Sequence, residues 1–137
     1  MPTRKKQQPP QREERKMVLT NEQMVYQYFN LISQKDVKGL LDLFIDDAIV
    51  YEPFSNSSQG LQGKSSIENF MKVVVMANAG LRRESIEFAE KTENSITAMV
   101  MFERGGRVKG KLMFNFVIDP VAGEKKIKML RIEFPKD

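Results

Sequence analysis

Residues 36–53 read DVKGLLDLFIDDAIVYEP. Asp36 is a good N-cap residue, and Val37, Leu40, Leu41 and Phe44 follow it at helical spacing. The spacing predicts a short helix. The segment DDAIVYEP (46–53) then reads as a turn and an apolar strand that stops at Pro53, which has no N–H to continue a ladder. A short helix passing directly into a strand sets the order of everything around it. It also leaves Glu52 at the strand end, where an unpaired charge entering a core is costly. Glu52 is either a solvated edge residue or a carboxylate kept for chemistry.

Working outward, TNEQ (20–23) has capping-box spacing, Thr20 with Gln23. Val25, Tyr28, Phe29 and Ile32 form the apolar stripe of a first helix. Downstream, SNSSQGLQG (55–63) reads as a polar loop. SSIE (65–68) is a second capping box, opening a third helix to about Ala77 with Ile67, Phe70, Met71 and Val74 on one side. Gly80 is its expected stop.

Four strands are expected after Gly80, at about 81–88, 95–104, 108–118 and 126–134. Gly105-Gly106 stand where a tight hairpin turn needs positive φ, and DPVAGEK (119–125) makes a longer turn. LMFNFVI (112–118) is apolar on both alternations apart from Asn115. Such a strand wants cover on both faces. Helices would supply one cover and a second subunit the other, which implies a homodimer. The class is α+β: a cone-shaped, curved antiparallel sheet with three helices on its concave face and a pocket between the layers.

The 137 residues fit one domain. The chain has no cysteine and no histidine. That excludes disulfides, thiolate nucleophiles, histidine triads and Cys/His metal sites. Any acid–base chemistry must use carboxylates, tyrosines or lysines. Asp46-Asp47 fits a turn better than a metal site, and GLQGKS (60–65) lacks phosphate-loop spacing. Arg82 and Arg83 would alternate faces of a strand, so at most one points inward. No cofactor or metal is expected. The longest apolar run, VVVMA (73–77), falls far short of the roughly 20 residues a bilayer requires. With no signal-peptide pattern, the expected location is cytoplasmic.

Residues 1–16 hold six Lys/Arg and two acids, which accounts for the whole net charge of +4. The division is therefore a basic tail, 1–18, expected to be disordered, and a domain, 19–137. Contact with nucleic acid is expected only through that tail.

The phrases YFNLISQKDVKGLLDLFIDDAIVYEP (28–53) and GLQGKSSIENF (60–70) carry a family resemblance. Together with the element order, they make the chain similar to the nuclear transport factor 2-like superfamily. Within it, the chain most resembles SnoaL-like polyketide cyclases and ketosteroid isomerases. The latter place a tyrosine eight residues before the Asp that opens the second helix, as Tyr28 stands before Asp36. Their base is an Asp before a proline at the first strand's end, where this chain has Glu52. Their second oxyanion donor, a protonated Asp, corresponds to Asn115, in the strand after FERGGR (102–107). The resemblance implies a pocket lined by Phe44, Met113, Val117, Leu130, Ile132 and Phe134.

The implied chemistry is proton transfer on a small apolar carbonyl compound, by isomerisation or cyclisation. Glu52 would be the base, with Tyr28 and Asn115 stabilising the oxyanion. Glutamate is one methylene longer than aspartate, which moves the carboxylate by about 1 Å, enough to cost roughly a hundredfold in rate. The alternative is a non-catalytic ligand-binding or dimeric assembly module whose basic tail contacts a partner.

Overall fold

The computed structural model describes residues 18–55, 58–79, 81–103 and 105–135. Residues 1–17 of the basic tail (1–18) and the expected stop at Gly80 lie outside them.

Helix α1 (Asn21–Ser33) starts where its capping box predicts. The Gln23 N–H donates to Thr20 Oγ1 at 3.1 Å, and the Thr20 N–H to Gln23 Oε1 at 2.8 Å. Two otherwise orphaned donors are satisfied reciprocally. Helix α2 (Val37–Asp42) is capped by Asp36, whose Oδ1 accepts from the Gly39 N–H at 2.9 Å. Strand β1 (Phe44–Tyr51) follows after one residue, so Asp46 and Asp47 lie within the strand and not in the expected turn. Its burial pattern explains why: Phe44, Ala48 and Val50 all reach the core, and the register slips between Phe44 and Ile49 to accommodate the two exposed aspartates.

A two-residue edge strand, β2 (Leu61–Gln62), lies inside the expected loop and pairs antiparallel with β1. Gly60 makes this return possible. Its φ is +77°, and a Cβ there would stand 2.8 Å from Ile49 Cγ2 and 3.0 Å from the Val50 carbonyl oxygen. Helix α3 (Gly63–Ala77) then begins at once, with Gln62 as N-cap and no side-chain capping bond. The capping box expected at Ser65–Glu68 is therefore overridden: pairing of β2 fixes the helix start three residues earlier, with Gln62 in place of Ser65 as N-cap, and Ser65 is already helical.

Strands β3 (Arg82–Ala89), β4 (Ser95–Glu103), β5 (Arg107–Ile118) and β6 (Lys125–Glu133) form an antiparallel meander. Gly105 (φ 65°) and Gly106 (φ 155°) make the β4–β5 turn with the positive φ expected of them. The six-stranded sheet has the order β2-β1-β6-β5-β4-β3. One pairing differs from the antiparallel expectation, since β1 runs parallel to β6. Helix α3 and strands β2 to β5 lie between the two in sequence and supply the long crossover such a pairing needs.

The core lies between the helices and one face of the sheet. On β5, Leu112, Phe114 and Phe116 are buried, whereas Met113, Asn115 and Val117 are half-buried on the opposite face. Tyr28 packs edge-to-face on Phe29 and Phe114, at 5.2 and 5.5 Å between ring centroids. Such pairs each add about 0.5–1.5 kcal/mol beyond burial. Asn21, 7% exposed, ties α1 to the sheet. Its Nδ2 donates to the carbonyls of Thr92 (3.0 Å) and Glu93 (3.3 Å), and its Oδ1 accepts from Lys125 Nζ at 2.7 Å. Among the described residues no helix is long and apolar enough to cross a membrane.

Candidate functional site

A cavity of about 420 Å³ opens between the helices and the sheet. Helix α1 contributes Tyr28, Phe29 and Ile32, and α3 contributes Phe70, Val73 and Val74. The sheet contributes Phe102, Leu112 and Ile132. At the mouth stand the exposed Phe54, Val108 and Phe134, which lie just after β1, at the start of β5 and just after β6. The size is within the range of small-ligand pockets.

Gly110 keeps this space open. It lies on the buried face of β5, and a Cβ there would meet Phe102 Cε2 at 3.3 Å and Phe134 Cε1 at 3.7 Å. A larger side chain would grow toward the cavity wall. A glycine in the interior of an expected strand is the sequence signal that could have found it.

No charged side chain lines the cavity among the described residues, and its polar members are Tyr28 and Asn78. The Asn78 Nδ2 is committed to the Val74 carbonyl at 2.8 Å, closing the end of α3. Tyr28 is 1% exposed, and its hydroxyl makes no hydrogen bond to another described residue. Burial pushes its pKa well above the ordinary phenol value, so it stays a protonated donor at physiological pH. A buried hydroxyl without an acceptor costs about 1–3 kcal/mol. A cavity occupant carrying an acceptor oxygen would remove that cost.

Glu52 follows the last residue of β1 and turns back on its own chain. Its Oε1 accepts from the Phe54 N–H at 2.7 Å and the Ser55 N–H at 3.0 Å, and its Oε2 accepts from the Ser55 hydroxyl. Burial raises its pKa, but the bonds from Ser55 and Phe54 outweigh that and hold it below the ordinary carboxylate value. The carboxylate is a turn cap in this arrangement and is not part of the cavity lining.

Of the expected site residues, the fold brings Tyr28, Ile132 and Phe134 together in the cavity wall. Phe44 and Leu130 share its side of the sheet but are packed solidly in the core, 1% and 0% exposed. Phe44 begins β1, and the cavity opens where β1 ends. Asn115, Met113 and Val117 require a correction. They lie on the face of β5 opposite Phe114, and thus opposite Tyr28. A strand alternates its side chains, so one residue of offset moves all three together.

The model of the nuclear transport factor 2 (NTF2) domain matches residues 20–127. The chain belongs to the NTF2 domain family. No curated protein matches this NTF2 domain significantly. Among solved structures, a protein from Sphaerobacter thermophilus superposes with a TM-score of 0.68 at 16% identity, covering 88% of this chain and 100% of that one. A SnoaL-like protein of unknown function from Burkholderia thailandensis gives 0.68 at 14% identity, covering 85% and 96%. SalBIII, described as an epoxide hydrolase/cyclase-like enzyme in pyran ring formation in the polyether salinomycin, gives 0.61 at 18% identity, covering 91% and 94%. At these identities the likeness concerns the fold.

Proposed function

We propose that this NTF2 domain binds a small apolar carbonyl compound in the cavity between its helices and its sheet, with the Tyr28 hydroxyl donating to the carbonyl oxygen. One observation carries the reading: an uncharged apolar cavity has among its lining residues Tyr28, which is buried and whose hydroxyl has no acceptor among the described residues. The test is displacement of a neutral fluorophore, N-phenyl-1-naphthylamine, by methyl ketones. Tyr28→Phe should weaken the ketones and leave the fluorophore, which has no carbonyl, bound as before. Equal ketone affinities in the two proteins would remove Tyr28 from the reading.

Proton transfer is the second reading, and SalBIII lends it support as a fold relative. It requires Glu52 to release three hydrogen bonds and swing toward the cavity, with Tyr28 as oxyanion donor and Asn115 on the far face. Turnover of an enone lost in Glu52→Gln would establish it, and unchanged turnover would dismiss Glu52 as base. For the homodimer, the half-buried outer face bearing Met99, Met101, Met113, Met129 and Val117 is the surface a second copy would cover. Sedimentation of Met113→Lys against the wild type tests that, with a shift toward monomer expected.

A further inference from the structure

One charged group stands directly against the cavity wall. The Arg83 guanidinium carbon lies 5.4 Å from the centroid of the Phe29 ring. Phe29 lines the cavity, as does Phe102, the residue opposite Arg83 in the β3–β4 ladder. Leu81, two residues earlier, lines it as well. The ladder shifts register between Arg83 and Ser85, so the alternation expected of a regular strand is broken just where Arg83 meets the helix side.

The neighbouring ion pair leaves Arg83 out. Arg82, its neighbour in the strand, is paired with Glu103 at 3.9 Å. Arg83 has no carboxylate within 4.0 Å among the described residues. A guanidinium held near a ring face by cation–π attraction keeps its N–H donors free for a two-oxygen anion. An apolar cavity, a buried neutral donor and a cation beside one of the lining rings together describe a ligand with distinct ends.

We propose that the ligand is an amphiphilic carboxylic acid: an apolar body with a carbonyl oxygen on Tyr28 and a carboxylate paired with Arg83. This rests on the apolar-cavity reading above and adds the ligand's charge and orientation. The neutral end enters the uncharged interior, and the ionised end stays at the wall, in contact with water and Arg83. An ionised group deeper in the cavity would lose its hydration without a partner.

The experiment compares a straight-chain oxo acid with its methyl ester, each displacing N-phenyl-1-naphthylamine. The proteins are the wild type and Arg83→Met, which keeps an unbranched apolar stem over Phe29. In the wild type the acid should bind about fivefold more tightly than the ester at low salt, as befits a solvent-exposed pair. That preference should shrink at high salt and vanish in Arg83→Met, while ester affinity stays unchanged. Arg83→Lys should retain part of it. An acid that binds no better than its ester in the wild type overturns the proposal and leaves the apolar-cavity reading standing. So does a preference that survives in Arg83→Met. Failure of acid, ester and fluorophore alike overturns both.

Discussion

Replacing Gly110 by valine should close the cavity without unfolding the domain. The added Cβ would sit 3.3 Å from Phe102 Cε2, 3.7 Å from Leu112 Cδ1 and 3.7 Å from Phe134 Cε1. The last two are ordinary contacts, and the first asks one ring edge to move by a few tenths of an ångström. Burying a valine side chain contributes about 1.5–3 kcal/mol. Removing a strand-interior glycine adds about 0.5–1 kcal/mol. Crowding of Phe102 costs about 1–3 kcal/mol. The balance runs from a loss of about 1 kcal/mol to a gain of about 3 kcal/mol, so the domain should stay folded and keep a cooperative thermal transition. Ligand binding should behave oppositely. Two methyl groups at the wall remove contacts that a cavity-filling ligand needs, and a loss of about 1.4 kcal/mol is already tenfold in Kd. Thermal unfolding and fluorophore displacement on the same sample separate the two effects, with Gly110→Ala intermediate in binding. A folded Gly110→Val domain with wild-type affinity would refute the placement of the ligand.

Asn21→Ala should cost about 1–3 kcal/mol in denaturant unfolding, because the Thr92 and Glu93 carbonyls and Lys125 lose their partner at a buried site; an unchanged midpoint would contradict its role as a tie. For Glu52, the folded pKa lies below the ordinary 4.5, so its contribution is complete above that pH and is lost as pH falls through the folded value. Glu52→Gln should therefore be less stable at neutral pH and show a shallower loss of stability below about pH 4.5. Parallel pH profiles would mean that the turn bonds contribute nothing.

Much of the fold was legible because its signals are local. The Thr20–Gln23 box, the Asp36 cap, the Gly105-Gly106 turn and the helical stripes each depend on a few adjacent residues. The start of α3 was not legible. It depends on β2 pairing with β1, a tertiary event that the polar loop sequence does not announce. The site was half legible. Tyr28 lies on an amphipathic stripe, so its inward direction follows from the helix itself. The direction of Asn115 does not follow from β5, where apolar residues occupy both alternations from Leu112 to Ile118. Without a polar face, the strand carries no marker of parity, and a lone asparagine reads equally well on either side. Glu52 was ambiguous for another reason: Ser55 follows at the right distance to be capped, and a capping carboxylate and a catalytic one look alike in sequence. Gly110 and Arg83 gain their meaning only from Phe102, Phe134 and Phe29, which the fold brings to them.

The proposed hydrogen bond from Tyr28 to a carbonyl oxygen inside the cavity is open to direct observation. Infrared difference spectra of a ¹³C-carbonyl-labelled methyl ketone, bound to saturation, report on that bond directly. In the wild type the carbonyl stretch should lie at lower frequency than in Tyr28→Phe, where the donor is absent and the cavity is otherwise the same. An identical frequency in the two proteins, with the ketone bound in both, would contradict the claim.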